Sequence, residues 1–103
     1  MTARDAAKDL IKRYVLRGET VQQIADGYMG YYGDNYKAQI GGYMWRDADL
    51  KSPHGKPYKH ISKYQIGVEK VGDREVMEVF SLHEIYSEIL HERDYGKQVS
   101  LDL

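Results

Sequence analysis

Apolar residues recur at three- and four-residue spacing from the start of the chain. Ala6, Ala7, Leu10, Ile11, Tyr14 and Val15 share one side of a helix, while Arg4, Asp5, Lys8, Asp9, Lys12, Arg13 and Arg17 take the others. The pattern predicts a helix over 3–17, begun at Thr2 and stopped by Gly18, where a glycine cap follows basic residues in the last turns. Thr20 can cap a second helix from Val21, with Ile24, Ala25 and Tyr28 continuing its apolar face. Gly27, Gly30 and Gly33 each cost a helix interior about 1 kcal/mol relative to alanine, so this helix should give way between Gly27 and Gly33.

Residues 34–46 admit two readings. As a helix, Asp34 is the N-cap and Tyr36, Ile40, Tyr43 and Met44 form the inward stripe, leaving Asn35, Lys37, Gln39 and Arg46 outward. As a hairpin turning on Gly41-Gly42, Ile40 faces Tyr43 and Ala38 faces Trp45. Residues 47–62 hold both prolines and no periodicity, which reads as a loop. A hairpin follows, turning on Gly72-Asp73. Pairing Val71 with Arg74 sets Lys70 opposite Glu75, Val68 opposite Met77, Ile66 opposite Val79 and Tyr64 opposite Ser81, so that Tyr64, Ile66, Val68, Met77 and Val79 share a face. Ser81 and Glu84 have the spacing of a capping box, opening a last helix with Leu82, Ile85, Tyr86, Ile89 and Leu90 buried, Glu84, Glu88 and Glu92 outside, and Gly96 at its end.

The chain's 103 residues fit one small α+β domain over 1–96, with 97–103 a loosely ordered tail. Hydrophobic content of 42% with 30% charged residues is ordinary for a globular protein. No apolar run approaches the ~20 residues of a membrane span, so no membrane partner and a cytoplasmic location are expected. The absence of cysteine removes disulfides, thiol nucleophiles and cysteine-bound zinc together.

Two local concentrations stand out. Residues 27–45 hold half of the ten tyrosines, half of the ten glycines and the one tryptophan. Such rings combine apolar area with a polar tip and are over-represented at binding hot spots and base-stacking surfaces. Tyr28, Tyr36 and Tyr43 fit a buried stripe under the helical reading, which leaves Tyr31, Tyr32 and Trp45 for a protein partner. Tyr14, Tyr64 and Tyr86 also fall on apolar stripes. The other concentration is charge: net charge is only −1, yet residues 51–65 carry Lys51, Lys56, Lys59 and Lys63 with no acid, whereas residues 66–103 are strongly acidic.

Three helices, a basic loop, a two-stranded hairpin and a closing helix is the order of a winged helix-turn-helix domain. On the stretch Thr20-Val-Gln-Gln-Ile-Ala-Asp, followed by a turn and Asn35-Tyr-Lys-Ala-Gln-Ile, the chain resembles small winged helix-turn-helix regulators of bacteria and phages. A longer glycine- and tyrosine-rich connection stands where such regulators have a short turn. The resemblance implies a winged-helix-like fold with three N-terminal helices, and a nucleic-acid-binding regulator of transcription acting on duplex DNA. Asn35, Lys37 and Gln39 would then face base edges, with Arg46, Lys51, Lys56, Lys59, Lys63, Lys70 and Arg74 on phosphates.

A reading of another class is a protein-binding modulator or inhibitor, of the phage anti-defence or host-takeover kind. It would engage a larger protein or nucleoprotein complex through its tyrosines and glycines. Its acidic last helix could imitate nucleic acid. On either reading that helix could pair with itself in a homodimer through Leu82, Ile85, Ile89 and Leu90, as terminal helices of dimeric regulators do. No catalytic constellation is present: the chain has no phosphate-binding Gly-rich loop, no His-Glu-x-x-His and no Gly-x-Ser-x-Gly. Glu88 and His91 lie one helical turn apart, but a metal site needs several such ligands on facing helices. His54 and His60 lie among lysines that oppose a cation. No enzyme activity, metal or cofactor is expected.

Overall fold

The Thr2 hydroxyl accepts the Asp5 N–H at 3.1 Å, and the Asp5 carboxylate accepts the Thr2 N–H at 3.0 Å, so two of the free donors at the start of the first helix are satisfied. A computed structural model describes the backbone of residues 1–27, 30–32, 35–47 and 55–101, and the side chains of all of these except 30–32 and 96–101. Helix α1 spans Ala3–Leu16 and α2 Val21–Gly27. Strands β1 (Gly30–Tyr32), β2 (Tyr36–Arg46), β3 (Lys56–Val71) and β4 (Arg74–Ser81) lead into α3 (Leu82–Leu101). The strands form one antiparallel sheet in the order β1-β2-β3-β4.

The N-terminal helices match their sequence pattern. Gly18 takes a φ of +86° just past α1, and the Thr20 hydroxyl accepts the Gln23 N–H at the start of α2. The winged-helix order is overturned after α2. Residues 36–46 form neither a third helix nor a hairpin but one strand, and β3 begins at Lys56, inside the stretch that reads as a loop. Helical spacing of Tyr36, Ile40, Tyr43 and Met44 is outweighed by β-favouring Tyr, Ile and Trp paired along a long partner strand, with two glycines opposing any helix.

Gly41 and Gly42, with φ of +68° and +82°, bend β2 instead of reversing it. Ile40 pairs with Ile66 but Gly42 pairs with Ile61, so residues 62–65 of β3 bulge out against almost nothing in β2. The positive φ favours glycine at Gly41, and a Cβ there would lie 3.1 Å from the Lys63 Cα, a tight approach that the facing strand would have to relieve.

Below the bend, Tyr36, Ala38, Ile40, Ile66 and Val68 face α1 and α3 and form the main core with Leu10, Ile11, Val15, Ile24, Leu82, Ile85 and Ile89. By strand alternation Lys37, Gln39, Gly67 and Glu69 face the other way. Beyond the bend, residues 42–47 and 55–61 form an arm that doubles back over this second face. Met44 and Ile61, both fully buried, press on Gly67: a Cβ there would lie 2.8 Å from Met44 Sδ and 3.0 Å from Ile61 Cδ1. Burial of each side chain contributes about 1.5–3 kcal/mol toward holding the arm down.

The second hairpin turns on Gly72-Asp73 as expected, with Val71 opposite Arg74 and Lys70 opposite Glu75. An irregularity at Glu69 then slips the register by one. Val68 meets Glu78, Ile66 meets Phe80 and Gln65 meets Ser81, so Val76 and Phe80, not Met77 and Val79, pack on the core. Met77 carries a φ of +48° at this point. The Ser81 hydroxyl accepts the Glu84 N–H, and α3 runs past Gly96, its predicted end, to Leu101.

Candidate functional site

The arm carries the most concentrated exposed chemistry among the described residues. Tyr43 and His60 are cross-strand partners, and their rings meet edge to face with centroids 4.9 Å apart. On the same strand face the Trp45 ring lies 6.4 Å from Tyr43. Tyr43 is 57% exposed and Tyr58 51%. On the same two strands Arg46, Lys56 and Lys59 are exposed at positions that alternate with the rings, Lys59 opposite Met44 and Arg46 directly opposite Lys56. Helical spacing predicts Tyr43 to be buried; alternation along the strand instead puts Met44 inside and Tyr43 outside.

The arm is fixed to the body by hydrogen bonds from its own backbone. The Gln39 amide donates to the Gly41 carbonyl at 2.7 Å and to the Tyr43 carbonyl at 2.6 Å, bracing the bend. The Trp45 N–H donates to Glu69 Oε1 at 2.8 Å, and the Asp47 N–H to Glu75 Oε1 at 2.8 Å. Beside the bend is an open groove of about 490 Å3, floored by Ile40 and Ile61 and rimmed by Asp26, His60, Ser62 and Lys63.

The residues read as nucleic-acid contacts separate into different environments. Arg46, Lys56 and Lys59 stay together on the arm. Lys37 is buried against Glu69, with Nζ 2.7 Å from Oε2, and does not reach a surface ligand. Gln39 is occupied at the bend. Lys63 pairs with Asp26 at 2.7 Å and lies over the Tyr64 ring. That ammonium, aided by Gln22, holds the Asp26 carboxyl below its ordinary range, and Asp26 raises the Lys63 ammonium. Lys70 is half-buried beside the turn, where the exposed Arg74 donates to the Met1 carbonyl at 3.3 Å. Asn35 is exposed before β2, its carbonyl accepting from the Gly72 N–H. Lys51, Tyr28 and His54 lie outside the described residues. Tyr31 and Tyr32 are described by backbone alone, in β1 opposite Ala38 and Lys37. Of the remaining tyrosines, Tyr36 is buried with its hydroxyl on Asp9, and Tyr14, Tyr64 and Tyr86 pack on the core.

The acidic stripe of α3 faces α1. Arg4 donates to Glu88 at 2.7 Å and to Glu84 at 3.1 Å, and Lys8 pairs with Glu92 and Glu88. The Arg4 guanidinium beside Glu88 holds its carboxyl below the usual glutamate range. A row neutralised from within the fold makes a poor imitation of a nucleic acid. Leu82, Ile85 and Ile89, the stripe for self-pairing, are buried in the chain's own core. Glu88 is committed to Arg4, and no group of three His, Asp or Glu among the described residues is arranged to hold a metal ion. No described helix is long and apolar enough to cross a membrane.

Sequence reasoning missed Glu69, Tyr43, Tyr58 and His60. Glu69 left one signal, a carboxylate inside the strand pattern Ile66-Gly-Val-Glu-Lys-Val, facing opposite to Ile66 and Val68. No family model, no curated protein and no solved structure matches the chain.

Proposed function

We propose that this chain is a small, non-catalytic nucleic-acid-binding regulator of the cytoplasm that engages its ligand with the β2–β3 arm, not with a recognition helix. The observation that carries the reading is the clustering of Arg46, Lys56 and Lys59 with Tyr43, Tyr58 and His60 on one braced two-stranded ribbon. Cations supply the sequence-independent attraction to phosphate, and rings supply stacking or sugar contact.

A second reading is favoured by one observation. Tyr43 and Tyr58 are more than half exposed on a backbone held by several hydrogen bonds, the rigid aromatic presentation that protein-binding surfaces use. On that reading the arm docks on a larger protein without affinity for nucleic acid.

Titration with labelled DNA at two salt concentrations separates the two. Binding that weakens with salt and is lost in Lys56→Ala/Lys59→Ala supports the first reading. Absence of binding at low salt, with the fold intact by circular dichroism, overturns it.

A further inference from the structure

We infer that the arm takes single-stranded nucleic acid, with unpaired bases stacking on Tyr43 and its neighbouring rings; this rests on the nucleic-acid reading above. A two-stranded ribbon that reads a duplex must offer hydrogen-bonding groups to base edges, because base faces are covered by stacking in the helix. The outward positions here offer rings instead: Tyr43, Trp45 and His60, with Pro57 across from Trp45.

The ring geometry leaves room for a base. Tyr43 meets His60 at 64° and Trp45 at 54°, so neither neighbour lies flat against it, and more than half of the residue stays accessible. A base can lie on the open Tyr43 face in the offset arrangement aromatic pairs prefer. The platform is also fixed before any ligand arrives. The Gln39 amide holds the Tyr43 carbonyl and Glu69 holds the Trp45 N–H, so little ordering accompanies binding. His60 belongs at once to the ring cluster and to the rim of the groove at the bend. Arg46, Lys56 and Lys59 supply cations for about three phosphates. That predicts a log–log salt slope near −2 for a single strand, at roughly −0.7 per phosphate.

The test uses the full chain, twelve-nucleotide oligo-dT and oligo-rU, and a mixed-sequence duplex of equal length, followed by anisotropy and by the fluorescence of the one tryptophan, Trp45. Expected are binding of either single strand at least tenfold tighter than the duplex, quenching of Trp45, and a loss of about fivefold or more in Tyr43→Ala, with Tyr43→Phe close to the parent, since one stacked base is worth about 1–3 kcal/mol. Tyr43 is exposed, so Tyr43→Ala should melt with the parent chain. Duplex bound as tightly as single strands, or Tyr43→Ala unchanged while Lys56→Ala/Lys59→Ala loses binding, overturns stacking and leaves the basic-arm reading standing. Failure of every nucleic acid to bind at low salt overturns both.

Discussion

Lys37 Nζ lies 2.7 Å from Glu69 Oε2 with the two side chains 4% and 1% exposed, and the other oxygen of Glu69 accepts the Trp45 N–H from the arm above. One buried carboxylate thus joins two neighbouring strands of the sheet to the segment folded over them. Oε2 makes no aligned hydrogen bond, so its compensation is the charge of the ammonium. Removing one partner of a buried pair typically costs about 3–5 kcal/mol, because the other charge is left uncompensated.

The pair therefore predicts a non-additive mutant cycle. Lys37→Met and Glu69→Gln should each lower the unfolding free energy by about 3–5 kcal/mol in urea. The double variant should recover a large part of that loss, since it carries no unpaired buried charge and the glutamine carbonyl can still accept the Trp45 N–H. Simple addition of the two single losses would show that the pair is not coupled.

Gly67 predicts how tightly the arm is seated. Its missing Cβ is the space that Met44 Sδ and Cγ and Ile61 Cδ1 occupy. Gly67→Ala should cost about 1–3 kcal/mol by overpacking, and should shift Trp45 emission to the red as the arm lifts. Adding Met44→Ala should return the emission toward that of the parent. Unchanged emission in Gly67→Ala would mean that the arm does not rest on this glycine.

Acid stability should depend on the α1–α3 ion pairs and on the Asp26–Lys63 pair between α2 and β3. Glu88, lowered by Arg4 and then Lys8, and Asp26, lowered by Lys63, have folded values below their ordinary 4.5 and 3.8. A depressed carboxyl contributes stability that is fully present above its unfolded value and lost as pH falls through the folded one. Arg4 and Lys8 are raised, so their contribution is already complete throughout the acid range. The melting temperature should fall as pH drops below about 4.5, and Glu88→Gln should give a lower but flatter acid limb. Added salt should weaken the difference, because these groups are partly exposed. Parallel acid limbs for parent and variant would assign the acid sensitivity to other groups.

The readable parts of this chain are those set by neighbours in sequence. Thr2, Gly18 and Thr20 bound their helices through caps, Gly72-Asp73 turns its hairpin, and the Leu82–Ile85–Ile89 stripe is buried as its spacing requires. Of the candidate site, Arg46, Lys56 and Lys59 were legible as surface cations, since an unpaired lysine or arginine stays in water almost anywhere in a fold.

What only the tertiary structure decided lies in β2 and in what covers it. Helical and extended readings of residues 36–46 are nearly balanced locally, and the choice is made by pairing with β3, a partner distant in sequence. The same positive φ at Gly41 and Gly42 suits a turn or a bend; the pairing of Gly42 with Ile61 makes it a bend. Once β2 is a strand, alternation turns Lys37 away from the main core and the arm folded over that face buries it, while beyond the glycine bend Tyr43 is left exposed. There Lys37 meets the carboxylate of Glu69, at the irregularity in the β2–β3 register, and no local pattern of residue types encodes that meeting.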